Sequence, residues 1–369
     1  MSPAPAACAQ LLYVFPLAAK ISPMPSRLRA IVIFVGVAAG LAAVAWSIRQ
    51  PARAMCVLSG PSVLGFVETA AGIGCMTVGG TVWALSATAT EPRALFRIDR
   101  PLASPPLSNA YALMAVTAEG AICAWDAKNG SELWHQSLSA PPTAPMGVHL
   151  GTVAVPLWPS ALALLDERTG ALKGKLVLTA AVRLAPIWWQ GQWVVVTRGE
   201  ELLFISDDGK VRGRQGLAGP AIAAAAEGEH LWIALAPNRI TLYTTTGPGP
   251  STTLPSGISL LQAGDDKVVA AGDDGELTCL ATGGMGVRVA WRCSLPDAVT
   301  SLAGPYVANG KALWVAGTVA GHIALLDADT GTLLRVFRIA RAPVIFLALS
   351  APFVAAATAD GVWLCPLPQ

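Results

Sequence analysis

Short apolar runs, alternating or continuous, recur along the chain, and each closes in a polar turn. The best-formed unit, residues 321–339, reads GHIALLDADTGTLLRVFRI. It predicts a β-hairpin, with one strand ending at Leu326, a turn Asp327-Ala328-Asp329-Thr330-Gly331, and a second strand ending at Ile339. An Asp opening such a turn accepts hydrogen bonds from the backbone N–H groups that follow, and a Gly supplies the positive φ. Residues 120–138 (GAICAWDAKNGSELWHQSL) and 160–178 (SALALLDERTGALKGKLVL) repeat the pattern. Weaker copies begin near 80, 199, 238 and 275, and an eighth start near 360 runs to the C-terminus.

The spacing is close to 40 residues throughout. A period of about 40–45 with mainly strand content predicts a propeller with four strands per blade. Between hairpins there is room for two more strands, as at 300–303 and 312–316. Helical solenoids share the period, but these runs are too short and too often broken by Pro and Gly. The fold class is therefore all-β, an eight-bladed β-propeller, with seven blades if the first or fifth unit is not a true blade. The eighth unit offers only three strands, at 344–349, 353–358 and 361–366. A ring must close or expose sheet edges, so residues 54–59 (AMCVLS) are expected to complete the last blade, and the propeller is assigned to 54–369.

One apolar run stands outside the repeat. Residues 30–46 (AIVIFVGVAAGLAAVAW) are uncharged, and Arg27 and Arg29 precede them. Residues 1–29 read as a leader, and 30–48 as a signal-peptide core or a transmembrane helix. Ala52-Arg53-Ala54 supplies a small-residue cleavage site. Met24 opens a compact basic segment, so Met1 and Met24 are both candidate starts. Either reading predicts an exported protein, periplasmic or on the periplasmic face of the cytoplasmic membrane.

Composition narrows the chemistry. The chain is 53% hydrophobic and 13% charged, with net charge +2, which gives no polybasic surface for nucleic acid. Four His, scattered over different units, leave little material for a shared metal site. There is no vicinal Cys pair, no Cys-x-x-Cys-His, no G-x-S-x-G and no phosphate loop.

The motif A-x-D-x-x-T/N-G-x-x-x-W, carried best by residues 124–134 (AWDAKNGSELW), resembles the pyrroloquinoline-quinone-type propeller repeat. Residues 164–170 and 325–331 follow it. Proteins with this repeat include quinoprotein dehydrogenases and the non-enzymatic propeller of the outer-membrane β-barrel assembly machinery. The chain is most similar in character to the latter. A dehydrogenase would imply a quinone in the central funnel with Ca²⁺, an Asp base and stacking Trp; this sequence shows no matching cluster of oxygen ligands, and no cofactor is expected.

The repeat residues have a structural reading. Asp126, Asp166 and Asp327 cap turns, and Gly130, Gly170 and Gly331 take positive φ. Phe96, Trp134, Trp291 and Phe337 are expected to wedge between blades, where an aromatic buries a large area. Cys279 and Cys293 flank one hairpin, and Cys56 and Cys365 meet at the predicted closure; these are the candidate disulfides, with Cys75 and Cys123 left as buried thiols. Trp188, Trp189 and Trp193 form the densest aromatic cluster, a candidate interface or a piece of core. The expected function is a non-catalytic scaffold for protein partners in envelope or membrane-complex assembly, held to the membrane if the N-terminal helix stays uncleaved. An enzyme using the central funnel and a small-ligand sensor are the alternatives.

Overall fold

The computed structural model describes residues 54–367, apart from 61, 70–71, 86–91, 110, 284–285, 309 and 351. The leader at 1–29 and the apolar segment at 30–48 lie outside the described residues. Among the described residues all regular structure is strand, in eight four-stranded antiparallel sheets. The chain is an eight-bladed β-propeller, so the seven-bladed alternative falls away. Blades 1 to 7 span 63–97, 107–137, 147–177, 187–216, 221–253, 258–294 and 299–338, each running A to D from the central channel to the outer rim.

Blade 8 is assembled from both ends of the propeller sequence. Phe346–Ser350, Phe353–Thr358 and Gly361–Pro366 supply strands A to C, and Met55–Ser59 pairs antiparallel with Gly361–Pro366 as strand D. The register sets Met55 opposite Leu364 and Ser59 opposite Gly361, with a bulge between Cys56 and Leu58. The last strand thus has its second edge paired by a segment some 300 residues away in sequence.

Burial follows radius. Strands B and C are buried on both faces, as in Ala112–Val116 and Ala161–Asp166, which explains their continuous apolar sequences. Outer strands such as Leu172–Val177 alternate exposed and half-buried positions. The core is divided among the eight blade junctions, each with its own apolar cluster. At the 8–1 junction Leu58, Val362 and Leu364 pack with Cys75 and Leu85. Strand D carries the sheet edge, and the eight D strands together hold ten Lys or Arg and one carboxylate, Glu132. Such charge on an edge opposes pairing with another chain.

The A–B and C–D turns lie on one face, here the lower one. The B–C and D–A connections lie on the other.

Candidate functional site

The repeated turns build the lower face. Asp126 Oδ1 accepts the N–H of Lys128 at 2.8 Å and of Asn129 at 3.2 Å. Asp166 Oδ1 accepts Arg168 N–H, Thr169 N–H and the Thr169 hydroxyl at 3.1, 2.9 and 2.8 Å. Asp327 does the same with Asp329 and Thr330 at 3.1, 2.9 and 2.9 Å. The Thr169 hydroxyl and N–H hold Asp166 below the usual carboxylate range, and the Thr330 N–H and hydroxyl do so for Asp327. Asp208, bonded to Lys210 and Ser206, is pushed down to about 2. A depressed folded-state value stabilises the fold above the unfolded value, near 4, and that contribution disappears as pH falls through the folded value. The urea midpoint therefore drops between about pH 4 and pH 2. A D166N/D327N variant starts lower at pH 7 and loses less in acid.

Each turn also receives its neighbour. Gly130, Gly170 and Gly331 have φ of +72°, +71° and +69°. A Cβ on Gly130 would sit 2.2 Å from Phe96, on Gly170 2.5 Å from Trp134, and on Gly331 2.5 Å from Trp291. The aromatic of one blade's D strand thus packs against the turn glycine of the next blade. Trp134 Nε1 donates to the Glu167 carbonyl at 2.9 Å, and Trp291 Nε1 to the Ala328 carbonyl at 3.0 Å. Phe337 packs with Cys365 and Leu367 at the 7–8 junction, and Arg335 lies 5.1 Å above its ring.

Among the described residues, two hairpin tips on this face present their large apolar side chains most fully to solvent, ahead of Val307 of blade 7 at 64%. Tyr111, at the A–B tip of blade 2, is 81% exposed, and Leu150, at the A–B tip of blade 3, is 85% exposed. Leu150 and Gly151 form the two-residue turn with φ of +38° and +80°, positions that favour Asn, Asp or Gly. A leucine there is strained and projects outward. Both tips are pinned by Glu167, whose carboxylate accepts the Asn109 side-chain amide and, at 3.1 Å, Gly151 N–H. Asn109 Oδ1 in turn accepts Tyr111 N–H and Ala112 N–H, each at 2.9 Å. Beside Leu150, His149 stacks on Trp188 with ring centroids 4.8 Å apart. Exposed Lys128 and Arg168 follow the residues whose N–H groups bond the Tyr111 and Gly151 carbonyls.

The tryptophan cluster is placed otherwise. Trp193 is fully buried and Trp189 nearly so, on opposite sides of the blade, and only Trp188 is half-exposed. Trp189 joins the 4–5 junction and Trp193 the 3–4 junction, because neighbouring strand positions face opposite sides of the sheet. Trp189 and Trp193 are therefore core, and the candidate interface shrinks to the Trp188 edge.

Neither candidate disulfide is formed; Cys56, Cys75, Cys123, Cys279, Cys293 and Cys365 are free thiols. Register is the reason. Cys279 lies opposite Trp291 and Cys293 opposite Leu277, while Cys56 lies opposite Trp363 and Cys365 opposite Val354. Diagonal neighbours sit about 7–8 Å apart, beyond the span of a disulfide. Burial also pushes Cys279 up to about 11 and Cys365 up to about 12, away from the reactive thiolate.

Residues 118–215 match the family model described as outer membrane protein assembly factor BamB. The repeat is of the pyrroloquinoline-quinone type. A crystal structure of BamB from Moraxella catarrhalis, 16% identical, aligns with a TM-score of 0.68 over 86% of this chain and 98% of that one. Sqt1 from Saccharomyces cerevisiae, 13% identical, gives 0.69 over 87% and 100%, and the computationally designed Ika8 protein, 17% identical, gives 0.70 over 85% and 98%. At such identities these structures share the fold. No curated protein matches by sequence.

A quinone site in this PQQ-type propeller would need converging oxygen donors at the channel. The A strands carry two carboxylates among the described residues, Glu68 in blade 1 and Glu227 in blade 5, on opposite sides of the ring. No group of three His, Cys, Asp or Glu is placed to hold a metal among the described residues. A hard cation takes six to eight oxygens, and the residues present do not fit the group. The Tyr111–Leu150 tips were not legible as a site from the repeat alone. The signal that marks Leu150 is a bulky apolar residue at a turn position filled by Gln190 in blade 4 and Asp265 in blade 6, and Tyr111 stands one position on, where blades 3 and 4 have Gly151 and Gly191.

Proposed function

We propose that the chain is an exported, non-catalytic scaffold that holds a protein partner on its lower face through Tyr111 and Leu150, in envelope or membrane-complex assembly. The observation that carries this reading is the pair of large apolar side chains, 81% and 85% exposed, on rigid tips tied together by Glu167. Anchors fixed before binding lose little freedom on docking. A tyrosine beside a leucine, rimmed by Lys128 and Arg168, suits a partner segment of apolar residues flanked by carboxylates. The family model points the same way, since its description is that of an assembly factor.

The test compares the wild-type chain with a Y111A/L150A variant. The variant keeps the wild-type urea midpoint and binds the partner captured by the wild type about 30-fold more weakly, the loss typical of two central anchors. Equal binding by both chains sinks the assignment. Calcium- and quinone-dependent dye reduction by the purified protein would establish an enzyme instead.

A further inference from the structure

The outer strand of blade 7, Leu333–Arg338, departs from the other rim strands. Leu333, Leu334 and Val336 are 41%, 41% and 43% exposed, three large apolar side chains on one sheet edge. No other outer strand shows more than two among the described residues. Edge strands ordinarily avoid this, because an apolar edge invites pairing. Arg335 and Arg338 alternate with the apolar residues, and neither has an ion-pair partner among the described residues.

The next rim strand is Met55–Ser59, where the described chain begins. Met55 is 42% exposed, and Ala54 packs against the 7–8 junction cluster that includes Phe337. The apolar run 30–46 ends eight residues before Ala54. Fully extended, eight residues span at most about 28 Å. If that run enters a bilayer, the rim of blades 7 and 8 is the part of the propeller tethered nearest to it.

We propose that the blade 7–8 rim rests on a bilayer surface, with Leu333, Leu334, Val336 and Met55 in the interfacial region and Arg335 and Arg338 against anionic phospholipid headgroups. This rests on the membrane-held form of the export reading. Apolar side chains interleaved with arginine are the pattern that binds an anionic lipid surface, by area buried and by charge together. The outer strands contribute the charge generally, with ten cations against Glu132, and blade 7 adds the apolar residues on the rim next to the blade 8 strand where the described chain begins. The contact would orient the ring edge-on, leaving Tyr111 and Leu150 of blades 2 and 3 free for a partner.

The full 369-residue chain, reconstituted in vesicles containing phosphatidylglycerol and a photoreactive phospholipid, gives the test. Peptide mass mapping should find label on 333–336 and Met55 about 10-fold above label on Leu172 and Val177, which are equally or more exposed on the blade 3 rim. High salt, phosphatidylcholine alone or an R335Q/R338Q variant should cut the blade 7 label severalfold. Carbonate extraction separates the two ways of failing. A chain released by carbonate overturns the membrane-held reading and this proposal with it. A retained chain labelled equally on blades 3 and 7 overturns the rim contact alone.

Discussion

Replacing Gly331 by alanine destabilises the protein by about 2–4 kcal/mol, from left-handed strain plus displacement of a packed indole. Gly331 has φ +69°, and its Cβ would lie 2.5 Å from the Trp291 ring. The ring cannot simply move, because its Nε1 is held by the Ala328 carbonyl at 3.0 Å and its face belongs to the 6–7 core. W291A costs about 3–5 kcal/mol by itself. The double variant is then more stable than the sum of the two losses by about 1–3 kcal/mol, since alanine has nothing left to strike. Urea denaturation of the four proteins measures this. Strict additivity would show that the indole does not rest on the glycine.

The second large effect is at the closure. L58D places a carboxylate at a position 9% exposed, among Cys75, Leu85, Val362 and Leu364. An unpaired carboxylate there costs about 3–5 kcal/mol, and L58A about 2–4 kcal/mol. L58D does more than weaken one junction. It detaches the strand that covers Gly361–Pro366, so blade 8 is left with a bare edge, and sedimentation should show association through it. A monomeric L58D protein with a wild-type midpoint would contradict the closure.

The architecture was legible because its cause is local and repeated. Asp126, Asp166 and Asp327 cap turns of one geometry, and the glycines that follow accept the neighbouring ring because they lack a Cβ. A motif whose chemistry is complete within seven residues marks the blade period wherever it recurs. What escaped was set by register and by side-chain direction. Cys279 and Cys293 flank a hairpin in sequence, yet Trp291 and Leu277 take the places opposite them. Trp189 and Trp193 look like one patch in sequence but enter separate blade junctions. Tyr111 and Leu150 do not stand out in sequence because they are 39 residues apart, and only the ring brings their tips to either side of Glu167.

Folding devices and functional features differ in whether they recur from blade to blade. Aspartates, glycines and wedge aromatics recur because each blade needs them. Leu150 in a left-handed turn serves no such need, and Leu333, Leu334 and Val336 on an edge strand work against one. Departures of this kind are where a repeat protein carries its specificity.

Site-specific photo-crosslinking in living cells reports which face of the ring meets a partner. A photoreactive residue at Leu150 should give one discrete protein adduct, matched by one at Tyr111. The same residue at Trp158, 62% exposed on the upper face, should give none. Adducts at Trp158 with none at Leu150 or Tyr111 would contradict a docking face on the lower tips.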